Sequence, residues 1–344
     1  MNARVLRQFG HSAVRRAGVV AASLVVRWLQ LSRRQVGVVL AYHGVEQAPA
    51  SAGCTLLVPH PAALFEAQMR VLASQHRVVP ACELLSAVQQ RRRGERFPVA
   101  VTLDDDLTCH ATVAMPILRR LQVNATFFLS GASLEGPFAF WWERLQRALA
   151  LEAPRLAEVM QTPMTPAAAL QLCQQIEAAT PEARDEIAEL LSEIAGPDPS
   201  DAGLRSDEVR ILVDAGMHVG FHTLRHDPLP PLSDADLARS MVVGREPLES
   251  VTHTCLDVIA YPHGVADARV VDAARHAGYR VGFVLNQETV HSTDDPLLLS
   301  RRSPTYRSPG HFALNLAYWL ATGRPEKRRS LLTRLRRPGH AVQA

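Results

Sequence analysis

The stretch VTLDDDLTCHATVAMPILRRLQVNATFFLS, residues 101–130, decides the fold. It begins within an apolar run, residues 99–103, that is rich in β-branched residues and stops at three consecutive aspartates. This pattern predicts a buried strand that carries acids at its exposed end. Residues 115–121 then have helical spacing, and residues 125–129 have the composition of a second strand. A strand, a helix and a strand in this order predict parallel pairing with a right-handed crossover.

The composition is that of an ordinary globular protein. The 344 residues are 47% hydrophobic and 21% charged, and the formal net charge is +3. These values favour neither a disordered nor a membrane-spanning class, and we expect no nucleic-acid partner. The five cysteines are odd in number, widely separated and without a CxxC pair. We therefore expect neither a disulfide framework nor a thiolate zinc site.

Both ends of the chain are basic. Residues 1–36 combine arginines with an apolar run at residues 17–26, which is shorter than the ~20 residues that a membrane-spanning helix needs. No small-residue cleavage site of a signal peptide follows that run, so we favour a cytoplasmic location. We expect residues 1–36 to form a helix that packs on the body of the protein or lies at a membrane surface, and packing is favoured. A basic tail at residues 323–344 adds a second possible contact with anionic lipid.

The chain between these ends, residues 37–322, alternates strand and helix patterns. This order predicts an α/β barrel or a doubly wound sheet. From about residue 138 to residue 203 the pattern changes to an aromatic cluster followed by Ala- and Leu-rich helices with prolines as breaks. We predict a helical insertion there, with its aromatic residues in a core rather than on a sugar-stacking surface. Farther along, residues 232–248 have the spacing of one long helix capped by Ser233.

Three of the predicted strands end in polar side chains. The first is followed by Asp104–Asp106, the second by HTLRH at residues 222–226 and the third by YPHG at residues 261–264. Two histidines four residues apart and one carboxylate supply three ligands for a divalent metal and leave open positions. A hydrolytic metal site needs those positions, because the ion must activate a water and polarise the substrate carbonyl. A second carboxylate beside the ligand is placed to take the proton of that water.

The motifs TLDDD, HTLRH and YPHG, in this order and separation, resemble those of the polysaccharide deacetylase family, also called the NodB-homology or carbohydrate esterase family 4 domain. AYHGV at residues 41–45, MPIL at residues 115–118 and ATFF at residues 125–128 resemble the family as well. The resemblance covers residues 37–305 outside the insertion. It implies an α/β fold, a distorted (β/α) barrel with its site at the carboxyl ends of the strands. It also implies metal-dependent removal of N-acetyl groups from amino sugars of a polysaccharide or its precursor.

The resemblance assigns roles to individual residues. Asp104 matches the general base of the family. Asp105, His222 and His226 match its metal ligands, for a divalent ion that we take to be Zn²⁺. His263 matches the position whose backbone N–H helps to hold the oxyanion, a role that does not depend on its side chain.

Several positions depart from the family pattern. Asp106 stands where the family usually has glycine and adds a like charge, and Ala260 stands where an arginine commonly steadies the base. The motif that supplies the general acid is not evident. A general acid contributes ~10²–10⁴ in rate by protonating the leaving amine. His291, which lies near the right part of the chain, and His43 are our candidates for that role.

Three further residues are predicted to bind substrate. His43 follows a strand, Tyr261 belongs to the YPHG motif, and Trp141 belongs to the aromatic cluster, whose rings could pack on sugar rings. Arg301 or Arg302 is a candidate for holding substrate anions.

Supporting roles and alternative functions complete the prediction. Thr223 and Asp227 are expected to orient the histidines. Two other functions stay open: hydrolysis of a non-sugar amide, and carbohydrate binding by a catalytically silent protein.

Overall fold

The computed structural model describes residues 3–47, 56 and 58–323 of the protein, with side chains from residue 17 onward. From residue 324 onward the expected basic tail lies outside the described residues. Strands and helices alternate along the chain around one mostly parallel sheet.

Short and long strands both contribute to this sheet, and two short ones form a small separate sheet. The strands are β1 Val36–Tyr42, β2 Val45–Glu46, β3 His60–Pro61, β4 Arg77–Val78, β5 Pro98–Asp104, β6 Thr126–Leu129, β7 His218–Phe221, β8 Val258–Ala260, β9 Val281–Val284, β10 Val290–His291 and β11 Leu299–Ser300. In the main sheet the order is β10-β1-β5-β6-β7-β8-β9-β11, and β4 pairs with the first residues of β5. Strand β10 is antiparallel to β1, and the other pairs are parallel.

The sheet closes on itself just after β11. The N–H of Ala41 in β1 donates to the carbonyl of Arg302 at 2.9 Å, and the N–H of Arg302 donates to the carbonyl of Val39 at 2.8 Å. These bonds form a parallel bridge between Leu40 and Arg302. The structure therefore confirms the predicted distorted (β/α) barrel and rules out the doubly wound alternative.

Strands β1 and β5 show why the barrel forms here. Their sequences, VGVVLAY and PVAVTLD, are buried at every position. A parallel strand that is covered on both faces is a continuous apolar run, because neither face meets water. The single charged residue of β5 is Asp104 at its carboxyl end, where the barrel opens.

Helices cover the barrel, and four of them form a separate layer between β6 and β7. The α-helices are α1 Ala3–Gln30, α2 Ala62–Gln75, α3 Leu84–Gln90, α4 Met115–Arg120, α5 Trp141–Leu151, α6 Ala153–Val159, α7 Pro166–Ala178, α8 Pro181–Ala195, α9 Ser206–Asp214, α10 Asp234–Ser240, α11 Arg245–Thr252, α12 Ala268–His276 and α13 Pro309–Thr322. Within the residues described, no helix has the length and apolar character that crossing a bilayer requires.

Helices α5 to α8 have a hydrophobic core of their own. Phe140, Trp141 and Trp142 belong to it and are buried among leucines and isoleucines of the same helices. Arg184 of α8 joins this layer to the barrel, because its guanidinium forms a buried ion pair with Asp227 and also donates to backbone carbonyls of the layer. The aromatic cluster is therefore core, as expected from the sequence.

The prediction of one long helix over residues 232–248 is wrong. The chain forms α10 and α11 instead, and Gly244 between them has a φ of 87°. A Cβ atom at Gly244 would lie 2.8 Å from Cβ of Leu224, so the turn needs both the conformation and the small size of glycine. Ser233 does cap α10, since its hydroxyl accepts a hydrogen bond from the N–H of Asp236.

Candidate metal centre and active site

The carboxyl ends of β5, β7 and β8 bring the predicted site residues together. Asp104 is the last residue of β5, and Asp105 follows it directly. His222 comes immediately after β7, and His226 lies four residues farther in the same loop. His263 lies in the 3₁₀ turn that follows β8. Because neighbouring parallel strands end at the same edge, residues far apart in the sequence meet at this opening.

One carboxylate and two imidazoles converge on a common point. The Oδ1 atom of Asp105 lies 3.7 Å from Nε2 of His222 and 3.6 Å from Nε2 of His226. One ligand atom from each of the three residues lies within 4.8 Å of the others. An oxygen and two nitrogens in this arrangement match the donor set of a hydrolytic zinc centre, with positions left for water and substrate.

The electrostatics of this cluster call for a cation. Asp105 is buried, and its Oδ1 has no hydrogen-bond partner. Burial, and then the neighbouring charge of Asp104, raise the pKa of Asp105 well above its usual value. Burial lowers the pKa of His222 to about 4 and that of His226 well below its ordinary value, so both imidazoles are neutral. A divalent ion would remove this penalty on the Asp105 carboxylate, and the neutral imidazoles are already in the protonation state that binds one.

The contacts that orient the two histidines differ from those that the sequence predicted. The Nδ1 atom of His222 lies 2.8 Å from the carbonyl oxygen of Ala260, which turns Nε2 toward Asp105. Asp227 does not bond to either imidazole, since its carboxylate pairs with Arg184 and Arg225. The Thr223 hydroxyl is buried without a hydrogen-bond partner. The orienting role predicted for Asp227 and Thr223 is therefore wrong in this form: a backbone carbonyl orients His222, and packing orients His226.

Packing around His226 comes from two directions. Its ring centroid lies 4.8 Å from that of Trp142 in the helical layer and 4.8 Å from that of His263. The helical layer thus forms one wall of the ligand cluster.

Backbone strain is concentrated at this site. Asp105, Thr223, His226 and His263 have φ angles of 75°, 61°, 51° and 56°. Residues other than glycine adopt this left-handed conformation at a cost, and it persists where the surroundings enforce it. Three of these residues, Asp105, His226 and His263, have side chains in or beside the ligand cluster.

Asp104 is held by an arginine that the sequence analysis did not assign to it. Arg301, at the exit of β11, is buried, and its guanidinium donates to Oδ1 of Asp104 at 2.6 Å. Burial by itself would raise the pKa of Asp104, but the Arg301 guanidinium, with further contributions from the neighbouring imidazoles of His222 and His43, outweighs burial and lowers the pKa to about 2. Asp104 therefore stays ionised, and Arg301 occupies the role that Ala260 leaves vacant in the family pattern.

The prediction that Arg301 or Arg302 binds substrate anions is wrong. The Arg301 side chain is 1% exposed and is directed to Asp104. The guanidinium of Arg302 lies 4.5 Å from the ring centroid of Trp319, in the packing against α13.

Asp106 supports a loop, and its like charge also contributes to the raised pKa of Asp105, as expected from the sequence. Its carboxylate accepts hydrogen bonds from the N–H groups of Ser130, Gly131 and Ala132 at 2.8, 3.0 and 3.1 Å, and from the Ser130 hydroxyl at 2.7 Å. Burial raises the pKa of Asp106, and these donors oppose the rise. The third aspartate is thus the acceptor that orders the turn after β6.

Two more imidazoles flank the cluster. His43 lies on the barrel side, with Nε2 3.9 Å from Oδ2 of Asp104, and about a third of its side chain is exposed. His263 lies on the insertion side, with Nδ1 3.5 Å from Oε1 of Glu177 in α7. The partnership with Glu177 was not predicted, because nothing in the sequence connects a residue of the insertion with the YPHG motif.

The remaining predicted site residues lie farther from the cluster. His291 pairs with Val36 at the first residue of β1, whereas His43 follows the last residue of that strand. A strand of this length separates the two by ~20 Å, so the prediction that His291 is catalytic conflicts with its place in the fold. Tyr261 is buried, and its hydroxyl donates to the carbonyl of Leu297 at 3.0 Å. Trp141 is buried in the core of the insertion, and substrate binding by these two aromatic residues stays a prediction.

Known structures share this fold. The deacetylase PplD of Streptococcus pyogenes, solved in complex with acetate, is 17% identical, with a TM-score of 0.57 over 83% of this chain and 98% of its own. IcaB of Ammonifex degensii is 17% identical, with a TM-score of 0.54 over 84% of this chain and 98% of its own. A polysaccharide deacetylase of Bacillus cereus is 17% identical, with a TM-score of 0.55 over 83% of this chain and 69% of its own. No curated protein sequence matches the chain.

The sequence itself matches a family model. The model described as polysaccharide deacetylase aligns with residues 91–282, which is more than half of the chain and contains Asp104, Asp105, His222, His226 and His263. The protein belongs to the polysaccharide deacetylase family, enzymes that hydrolyse N-acetyl amide bonds.

Proposed function

We propose that this enzyme is a zinc-dependent deacetylase that removes N-acetyl groups from amino sugars of a polysaccharide or its precursor. Asp105, His222 and His226 would hold the ion, and Asp104 would be the general base. The observation that carries the proposal is the buried Oδ1 of Asp105, which lacks a hydrogen-bond partner and lies within 3.7 Å of two neutral imidazoles. The ionised carboxylate of Asp104 lies directly beside it.

Different side chains of the protein carry out different steps of the reaction. When bound, a zinc ion would supply Lewis acidity to the substrate carbonyl and to a water molecule. Asp104 accepts the proton of the attacking water through Oδ2, because its Oδ1 is occupied by Arg301. The leaving amine then needs a proton, and His43 and His263 are the side chains beside the ligand cluster that can donate one. Arg301 keeps Asp104 ionised and fixed in one rotamer.

Removing a ligand tests the metal centre. We expect Asp105→Ala, His222→Ala and His226→Ala each to lower zinc affinity by more than ~100-fold, because changes even in groups that only support ligands cost about 10–100-fold. Bound zinc per protein, measured by mass spectrometry after dialysis, should fall from one equivalent to a small fraction. His311→Ala, which removes an exposed imidazole on α13, should keep one equivalent. Full zinc in all three ligand variants would overturn the site.

Replacing the base tests its separate role. Asp104→Asn preserves the size of the side chain and removes the proton acceptor, so zinc should stay bound while acetate release from N-acetylglucosamine oligomers falls by about 10²–10⁴. Asp214→Asn, at an exposed aspartate in α9, serves as the control and should behave as wild type. Unchanged turnover in Asp104→Asn would contradict its assignment as the base.

The same assay separates the proposal from its alternatives. A wild-type protein that binds one equivalent of zinc but releases no acetate from N-acetylated oligosaccharides contradicts the proposed substrate class. Turnover of a non-sugar amide would then identify a different hydrolase, and saturable sugar binding without turnover would identify a silent binding protein.

Arg301 is tested by comparing two substitutions. Arg301→Met removes the partner of Asp104, and we expect kcat to fall about 100-fold with KM unchanged, because a misplaced catalytic group costs about that factor. Arg301→Lys should recover part of the rate, and both variants should retain zinc because Arg301 is not a ligand. Circular dichroism verifies that each variant folds. A rise in KM at constant kcat would instead show that Arg301 contacts the substrate.

A further inference from the structure

Helix α1 exposes an apolar face that no part of the described protein covers. From residue 17 to the end of α1 at Gln30, exposed positions recur every three or four residues, which places them on one face of the helix, and the exposed Leu31 follows directly. The large side chains of this outer face are Val20, Leu24, Val25, Trp28 and Leu31, exposed by 59%, 64%, 42%, 72% and 58%. A monomeric soluble protein rarely displays so many large apolar side chains together.

The opposite face of the helix is already packed. Ala22, Val26 and Leu29 are buried in the core that includes α13. The two helices come close enough that a Cβ at Gly18 would lie 3.1 Å from Cα of Gly310. The outer face is therefore not required for docking of α1 on the barrel, and its apolar character needs a separate explanation.

The neighbouring helix α13 also exposes apolar side chains. On α13, Leu314 is 42% exposed and Tyr318 is 64% exposed. Helix α13 packs against α1 and has exposed apolar side chains of its own.

Arginines lie at the end of this face. Arg27 is exposed next to Trp28, and a surface cavity of about 530 Å³ where α1 ends is lined by Arg33, Gln35 and Arg91–Arg93. Arg91 is buried and fixed, with its guanidinium donating to backbone carbonyls of residues 30, 32, 34 and 95. Arg92 and Arg93 are exposed.

The N-terminal segment itself carries charge of one sign. Residues 1–45 contain seven arginines and no aspartate or glutamate. In the cavity loop, Glu95 accepts a hydrogen bond from the N–H of Arg92, so its carboxylate is engaged in the turn. An exposed apolar helix face with tryptophan and flanking arginines is the pattern of a helix that lies in the headgroup region of a membrane.

We propose that the outer face of α1 and the arginine cavity bind the surface of an anionic lipid bilayer. The apolar side chains enter the boundary between headgroups and acyl chains, and the arginines contact lipid phosphates. A second copy of this chain fits the surface less well, because pairing two such faces would bring two sets of arginines together without acids.

The arginine cavity lies away from the catalytic residues, so a membrane bound there would not block the active site. Arg91–Arg93 precede β5 and Arg33 precedes β1, whereas Asp104 is at the carboxyl end of β5. The arginines thus lie at the end of the barrel opposite to the catalytic residues. Membrane binding and deacetylation use different residues, so one can fail without the other.

Vesicle sedimentation with the full chain tests the proposal. We expect wild type to sediment with phosphatidylcholine vesicles that contain 30% phosphatidylglycerol, and to bind at least tenfold less to phosphatidylcholine alone. The double variant Leu24→Glu/Trp28→Glu should reduce binding to the anionic vesicles at least tenfold. Arg92→Gln/Arg93→Gln should weaken it about 30-fold and reduce its sensitivity to salt, because about 1 kcal/mol is attributed to each basic residue near such a surface.

A matched control and the contrary outcomes complete the test. Val242→Glu/Val243→Glu, which places the same two charges at valines that are 47% and 45% exposed far along the chain, should bind as wild type. The proposal is overturned if wild type fails to sediment with either vesicle. It is also overturned if Leu24→Glu/Trp28→Glu binds the vesicles as well as wild type does. A wild type that is a dimer and does not bind vesicles, together with a monomeric Leu24→Glu/Trp28→Glu variant, would show instead that the face pairs two copies of the chain.

Discussion

The buried carboxylate of Asp105 is the constraint on which the site depends. Its Oδ1 has no hydrogen-bond partner, and Asp104 places a second negative charge beside it. Burying a charge without a partner costs several kcal/mol, and the proposed ion, held jointly by Asp105, His222 and His226, would remove that cost. Asp105 and His226 both adopt the left-handed backbone conformation, which costs conformational free energy and accompanies the convergence of these groups on one point.

Closure of the barrel connects the fold with the chemistry. The backbone of Arg302 joins the segment after β11 to β1, and the preceding residue, Arg301, reaches Oδ1 of Asp104 from the same place. Ala260 stands where the family commonly has an arginine that steadies the base. In this structure Arg301, at the exit of β11, pairs with Asp104. The helical insertion contributes to the same site from the other side, through Glu177 beside His263 and through the packing of Trp142 on His226.

The sequence predicted the parts of this account that depend on local pattern. Continuous apolar strands that end in polar residues indicated a parallel α/β fold, a barrel or a doubly wound sheet, and placed an aspartate of the DDD run near His222 and His226. The family resemblance then implied the barrel and singled out Asp105 as the ligand. Contacts between distant segments were not predictable, because no local periodicity specifies which side chain crosses a barrel. For that reason Arg301 was assigned to substrate and His291 to catalysis. The break at Gly244 was missed because a single glycine within a helical pattern does not show whether a neighbour such as Leu224 requires it.

The most direct test of the central claim is a crystal structure of the zinc-loaded protein, with the ion located by anomalous scattering at the zinc edge. The account predicts one ion bound by an oxygen of Asp105 at ~2.0–2.2 Å and by the Nε2 atoms of His222 and His226 at ~2.0–2.1 Å. Asp104 should remain paired with Arg301. An ion bound elsewhere, or a fully loaded protein in which Asp105 does not contact the ion, would contradict the account.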